Sequence, residues 1–183
     1  MRIQHSVLAV IVALSGCAST APAPATAPTA QSAEINPAGD IPDDTVFVTY
    51  RAPDGAYEVK VPEGWARTDQ STGASFTDKL NSVRIETKAS TAAPTESSIR
   101  AEVPGAQDAV VDTVRRSGGT AVRIVYRADS APDPVTGKVV RDEVERYEFY
   151  STGTEAILTL SGPVGADNVD PWRTVSESFA WKR

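Results

Sequence analysis

The chain has 183 residues and a formal net charge of −6, with 40% hydrophobic, 23% charged and 7% aromatic residues. That balance suits a globular protein and excludes wholesale disorder, a collagen-like rod and a multi-span membrane protein. The one histidine, His5, and the one cysteine, Cys17, both lie at the very start, so the remainder has neither imidazole nor thiol for chemistry.

Arg2 is the only formal charge before Glu34, and the apolar run Ser6 to Leu14 follows it. This run is too short for the roughly 20 residues of a membrane-spanning helix. A basic start and a short apolar stretch before small residues read as a secretory signal over residues 1–16. Leu14-Ser15-Gly16-Cys17 resembles the bacterial lipobox. The resemblance implies cleavage before Cys17, acylation (palmitate-type) of its sulfur, and a protein held at the cell membrane facing the periplasm or cell exterior. Two or more acyl chains anchor stably where one binds only marginally.

Residues 18–33 are Ala, Pro, Thr, Ser and Gln, with no charge and no large apolar side chain. Such a stretch cannot bury enough surface to offset its ordering entropy. With the acidic residues Glu34, Asp40, Asp43 and Asp44 it makes residues 17–44 a lipidated cysteine and a disordered tether. The folded domain is then expected over 45–183. Only Arg2 among the 18 basic residues, and those four among the 24 acids, precede residue 45, which leaves the domain 17 bases and 20 acids. This mild acidity is no nucleic-acid footprint. With no cysteine after Cys17, stability has to come from packing.

The domain is mostly period two. Val46, Val48 and Tyr50 alternate, Ala52-Pro53-Asp54-Gly55 turns, and Tyr57, Val59 and Val61 alternate again, which predicts a hairpin over 46–61. Short strands follow around Phe76 and over Val83, Ile85 and Thr87. Val110 to Val114 and Val122 to Tyr126 pair about the Ser117-Gly118-Gly119 turn. Asp129 to Lys138 is a loop. Val140 to Tyr150 is a long strand whose apolar phase slips between Val144 and Tyr147, which suggests a bulge. Leu158 and Leu160 belong to the last strand. A short helix is expected over 94–101, capped by Thr95. A longer one has Asp170 as N-cap, Pro171 at N1, and Trp172, Val175 and Phe179 on one face. Antiparallel strands with two helices define an α+β fold, its sheet covered on one face by these helices.

Tyr57-Glu58-Val59-Lys60-Val61-Pro62-Glu63-Gly64-Trp65 resembles the opening of the Mog1/PsbP-type fold, where a strand runs into P-x-G-W. Trp172 to Phe179 is similar to the closing helix of that family, with Ser178-Phe179 as its S-F end. The resemblance is to the bacterial PsbP-like lipoproteins. It implies an α/β/α sandwich and a non-enzymatic binding or assembly module.

The residues themselves hold little catalytic promise. Neither a Ser-His-Asp site nor His/Cys zinc is possible in the mature chain. No cofactor or metal is therefore expected, and no enzyme. Thr136-Gly137-Lys138 lacks the upstream glycine of a phosphate loop and reads as a turn. Asp167, Asn168 and Asp170 read as loop and cap chemistry rather than a calcium site. Asp142, Glu143, Glu145 and Glu148, interleaved with Arg141 and Arg146, read as a solvated, cross-strand-paired face rather than a hydrolase pair. Trp65 and Trp172 are expected as core plugs, with Trp181 less settled at the terminus. The leading function is a binding or assembly module anchored to the membrane, its partner an envelope protein. A carrier of a small apolar or lipid-like ligand comes second, and a carboxylate-based enzyme third. A large apolar cavity would favour the carrier, and a buried carboxylate in a cleft the enzyme.

Overall fold

The computed structural model describes residues 38–133 and 135–182. Cys17, the expected signal segment 1–16 and most of the expected tether lie outside them. The predicted hairpin forms as β1 (Phe47–Arg51) and β2 (Tyr57–Pro62), paired antiparallel from Phe47↔Pro62 to Arg51↔Glu58. The strands β3 (Ala66–Gln70), β4 (Gly73–Asp78) and β5 (Asn81–Ala89) follow. Helix α1 (Glu96–Glu102) leads to β6 (Gln107–Arg116), β7 (Gly119–Asp129), β8 (Arg141–Ser151) and β9 (Thr154–Pro163). Helix α2 (Val169–Ser178) and the two-residue β10 (Ala180–Trp181) close the chain. The larger sheet has seven strands in the order β3-β4-β5-β9-β8-β7-β6, and β1-β2-β10 make a second, three-stranded sheet.

The register decides which side chains share a face. Leu158 and Leu160 of β9 oppose Ile85 and Val83 of β5, and Tyr147 opposes Leu158 from β8. These residues face Tyr57, Val59, Trp172, Val175 and Phe179, and together they make the main core. Phe179 is fully buried, with its ring 4.4 Å from Phe149 and 5.8 Å from Tyr57 between centroids. Directly opposed residues point the same way. Val122 and Ile124 of β7 therefore share the other face with Glu148 and Arg146 of β8. There they meet Ile99 of α1 in a small second cluster. The two helices thus lie on opposite faces, not on one, which corrects that expectation and gives the sandwich.

This double coverage also explains the phase slip. β8 is regular from Arg141 to Ser151 against both neighbours, with no bulge. Val144 packs on one covered face and Tyr147 and Phe149 on the other. The irregularity sits instead in β6, between Gln107 and Val110, where Asp108 takes φ 54°. Thr95 caps α1 as expected: its Oγ1 accepts from Ser98 N at 3.1 Å, and Ser98 Oγ accepts from Thr95 N at 2.8 Å. Strand β3 escaped the sequence reading because all five of its residues are exposed and carry no alternation.

Candidate binding cleft

The residues just before β1 fold onto the domain. Ile41 is 5% exposed and joins the main core. Its N–H donates to Asn168 Oδ1 at 2.8 Å. Asn168 Nδ2 donates to Asn81 Oδ1 and Gly39 O, both at 3.1 Å, and Asn81 Nδ2 donates to Gly39 O at 2.8 Å. Asp40 Oδ1 accepts from Asp167 N at 2.9 Å. Two buried amides hold Gly39 and Ile41, and the Asp167 backbone holds Asp40 between them, in a segment that carries almost no apolar surface. The boundary at residue 45 is corrected: the folded unit includes Gly39 to Asp44. A lone Ile among Gly, Asp and Pro gave no periodic signal, so this strap was invisible in the sequence.

Glycines make room for the amide pair. A Cβ on Gly162 would stand 2.3 Å from Asn81 Oδ1, and one on Gly39, at φ 100°, would stand 2.6 Å from the Pro163 ring. The strap also takes over the helix start. The N-cap of α2 is Asn168, not Asp170, and its side chain makes no capping bond because it is bonded to the strap and to Asn81. Asp170 pairs with Arg173 at 3.1 Å instead. Asn168 Oδ1 and Asp170 Oδ1 are thus engaged by Ile41 N and Arg173.

Between this strap, the Glu63-Gly64-Trp65 turn and the β4–β5 turn lies an open cleft of about 590 Å³. Its wall includes Pro42, Val46, Trp65, Asp40, Glu63 and Asp78. Glu63 N donates to Val46 O at 2.8 Å, which ties the Trp65 turn to the end of the strap. Trp65 is half-buried against the main core, not enclosed in it, while Trp172 is 5% exposed. Trp181 packs edge-on against Phe179 at 5.2 Å. Of the three tryptophans, Trp65 alone lines this cleft.

A second constellation lies under α1. Glu148 is fully buried. Arg146 Nε donates to its Oε1 at 2.7 Å, and Oε2 has no hydrogen-bond partner. Arg146 also pairs with Glu102 of α1. Lys88 Nζ lies 2.6 Å from Glu102 and 3.2 Å from Glu155. The second contact is coulombic and poorly directed, since Glu155 Oε1 makes no hydrogen bond. Burial pushes the Glu148 carboxyl up, and Arg146 opposes the rise. Asp142, 7% exposed, is pushed up to about 6 by burial alone. The face expected to be solvated is therefore covered at Asp142 and Glu148, because the cross-strand pairing that places them opposite Ala128 and Val122 puts them on the α1 side. A hydrolase holds its acids across a space that admits substrate. Here Glu102, Glu148 and Glu155 interlock with Lys88 and Arg146 and clamp α1 to the sheet.

The remaining motifs are structural. Asp133 Oδ1 accepts from Thr136 N at 2.7 Å and Val135 N at 3.0 Å, so the Thr136-Gly137-Lys138 stretch is a turn. Arg123 holds Asp112 through two bonds of 2.9 and 2.6 Å across β6 and β7, which keeps the Asp112 carboxyl below its usual range.

No protein-family model matches the sequence, and no curated protein is similar to it by sequence. Solved structures are similar in fold. A protein from Bacteroides thetaiotaomicron VPI-5482 superposes with a TM-score of 0.52 at 12% identity over 74% of this chain. This chain spans about half (48%) of that protein's length. Cyanobacterial PsbP (CyanoP) from Synechocystis sp. PCC 6803 gives a TM-score of 0.51 at 15% identity, over 79% of this chain and 98% of that one. The Saccharomyces cerevisiae Ran-binding protein Mog1p gives 0.49 at 11% identity, over 74% and 95%. The chain is an α+β protein with a layered antiparallel sheet. Its fold is the Mog1/PsbP-like one, and at these identities the likeness is of fold alone.

Proposed function

We propose that the protein is a lipid-anchored envelope lipoprotein whose folded domain is a non-catalytic binding or assembly module, working through the cleft at Trp65. The observation that carries this reading is the contrast between a filled interior and an open cleft. Tyr57, Tyr147, Phe149, Phe179, Leu158 and Leu160 are each almost fully buried and occupy the space between the sheet and its covering layer. An apolar ligand carrier would need that space. Two of the three buried carboxylates, Glu148 and Glu155, are engaged in the clamp under α1, which disfavours an enzyme built on them. The cleft presents an aromatic side chain, apolar neighbours and carboxylates to solvent. Anchoring at Cys17 rests on the lipobox resemblance.

Two measurements test the reading on the full chain expressed in a bacterial host. Cys17→Ala should move the protein from the membrane to the soluble fraction, and mass spectrometry of the wild-type N-terminus should show acyl groups. An unmodified N-terminus refutes the anchor. A photo-cross-linking residue at position 65 should give a discrete protein adduct, and one at Val110, exposed on β6, should not. Equal labelling from both positions, or none from either, refutes the binding module.

A further inference from the structure

The cleft has a charge as well as a shape. The three segments that surround it are residues 38–46, 63–65 and 78–81. The charged side chains that line it are Asp40, Glu63 and Asp78 against Lys79 alone. Residues 38–183 hold 23 acids and 17 bases, so the lining is more one-sided than the chain around it. Lys79 does little to cancel the acids. Its Nζ reaches Asp78 only at 4.0 Å, and its side chain is 83% exposed. Among these carboxylates stand Trp65, Pro42 and Val46, the last at 59% exposure. The cleft also opens at the start of β1, an edge strand of the three-stranded sheet.

An indole face attracts a cation through its quadrupole, and desolvation at a half-buried ring strengthens the contact. Carboxylates around the ring hold a guanidinium or ammonium by charge-assisted bonds. A free sheet edge favours an extended chain, which offers alternate side chains to one face. We infer that the cleft binds a basic, extended peptide segment of a partner protein, with a Lys or Arg side chain over Trp65 and apolar side chains against Val46 and Pro42. This inference rests on the proposed binding cleft and names the chemistry of its partner. Acidic peptides and nucleic acids are repelled from the same surface. Encounter is steered by the local field, so association slows as salt rises.

The test uses the full chain in non-ionic detergent and a fluorescein-labelled short peptide alternating Lys or Arg with Val or Leu, read by anisotropy. Saturable binding is expected, with affinity falling as salt rises. Trp65→Ala should weaken it about tenfold or more, and Trp65→Phe, which keeps the packing, should fall between. The pair Glu63→Gln and Asp78→Asn should weaken it and flatten the salt dependence without changing the thermal midpoint. Equal binding of a peptide with Glu in place of the bases overturns the inference. So does tighter binding of spermine or of a neutral chito-oligosaccharide, or wild-type affinity in both the Trp65→Phe and the doubly neutralised variants. A cross-linked adduct at position 65 without any basic-peptide binding leaves the binding module standing and refutes this partner chemistry. Absence of both refutes the cleft reading itself.

Discussion

Replacing Asp142 by Asn removes a charge that the fold buries at a cost. Asp142 lies on β8 opposite Ala128 and Pro163 and is 7% exposed. Burial alone lifts its carboxyl from 3.8 to about 6. In the unfolded chain the group titrates at its ordinary value. The folded state therefore holds the proton more tightly, and its stability falls as pH rises from 3.8 to about 6. At about 1.4 kcal/mol per pKa unit, the loss amounts to about 3 kcal/mol and is complete above about pH 7. Asn has the same shape and no charge. Asp142→Asn should therefore match the wild type below about pH 4 and exceed it by up to about 3 kcal/mol at about pH 7.5. Urea unfolding across this range gives the comparison. The difference between the two proteins isolates Asp142 from carboxylates that act oppositely, such as Asp112, which Arg123 holds low. A difference that does not change with pH refutes the uncompensated burial of Asp142.

Phe179→Ala empties a fully buried site at the joint of both sheets and should cost about 3–5 kcal/mol by urea unfolding. Asp170→Ala removes only an exposed pair with Arg173 and should stay within about 0.5 kcal/mol; the reverse order would show that α2 does not pack as described. Asn168→Ala strips the partners from Ile41 N and Asn81 Oδ1 and should cost about 2–4 kcal/mol. Hydrogen exchange at Ile41 should rise with it, and an unchanged rate there would contradict the docked strap. For the same reason, deleting residues 18–37 should leave the thermal midpoint nearly unchanged, whereas deleting 18–44 should lower it by several degrees. Arg146→Met leaves Glu148 buried beside no cation and should cost about 3–5 kcal/mol, and adding Glu148→Leu should restore most of that loss. Failure of the double variant to recover would mean that Arg146 acts chiefly through Glu102.

The local elements were legible in the residues themselves. Alternation at Val46 to Val61 and at Val122 to Tyr126 marked strands, since side chains on a strand point to alternate faces. Thr95 marked a helix start, whereas Pro171, expected at N1, is the third residue of α2; the Trp172, Val175 and Phe179 spacing marked the face that α2 and its C-cap bury. The same pattern, with its P-x-G-W turn, carried the resemblance to the Mog1/PsbP-type fold. The sequence also places its one thiol, Cys17, and its one histidine, His5, ahead of the folded domain. Only the tertiary structure decided what each element touches. The α1 face of the sheet holds Arg146 and Glu148, whose charges read as solvent-facing until their neighbours Glu102, Lys88 and Glu155 arrive from three other elements. Asn168 reads as loop chemistry, and its role depends on Asn81 and Gly39, which are 87 and 129 residues away. Trp65 reads as a core plug, and the strap across the domain leaves it facing a cleft. Periodicity reports a residue's orientation within its own element. Burial and partners depend on contacts distant in sequence, which local pattern does not encode.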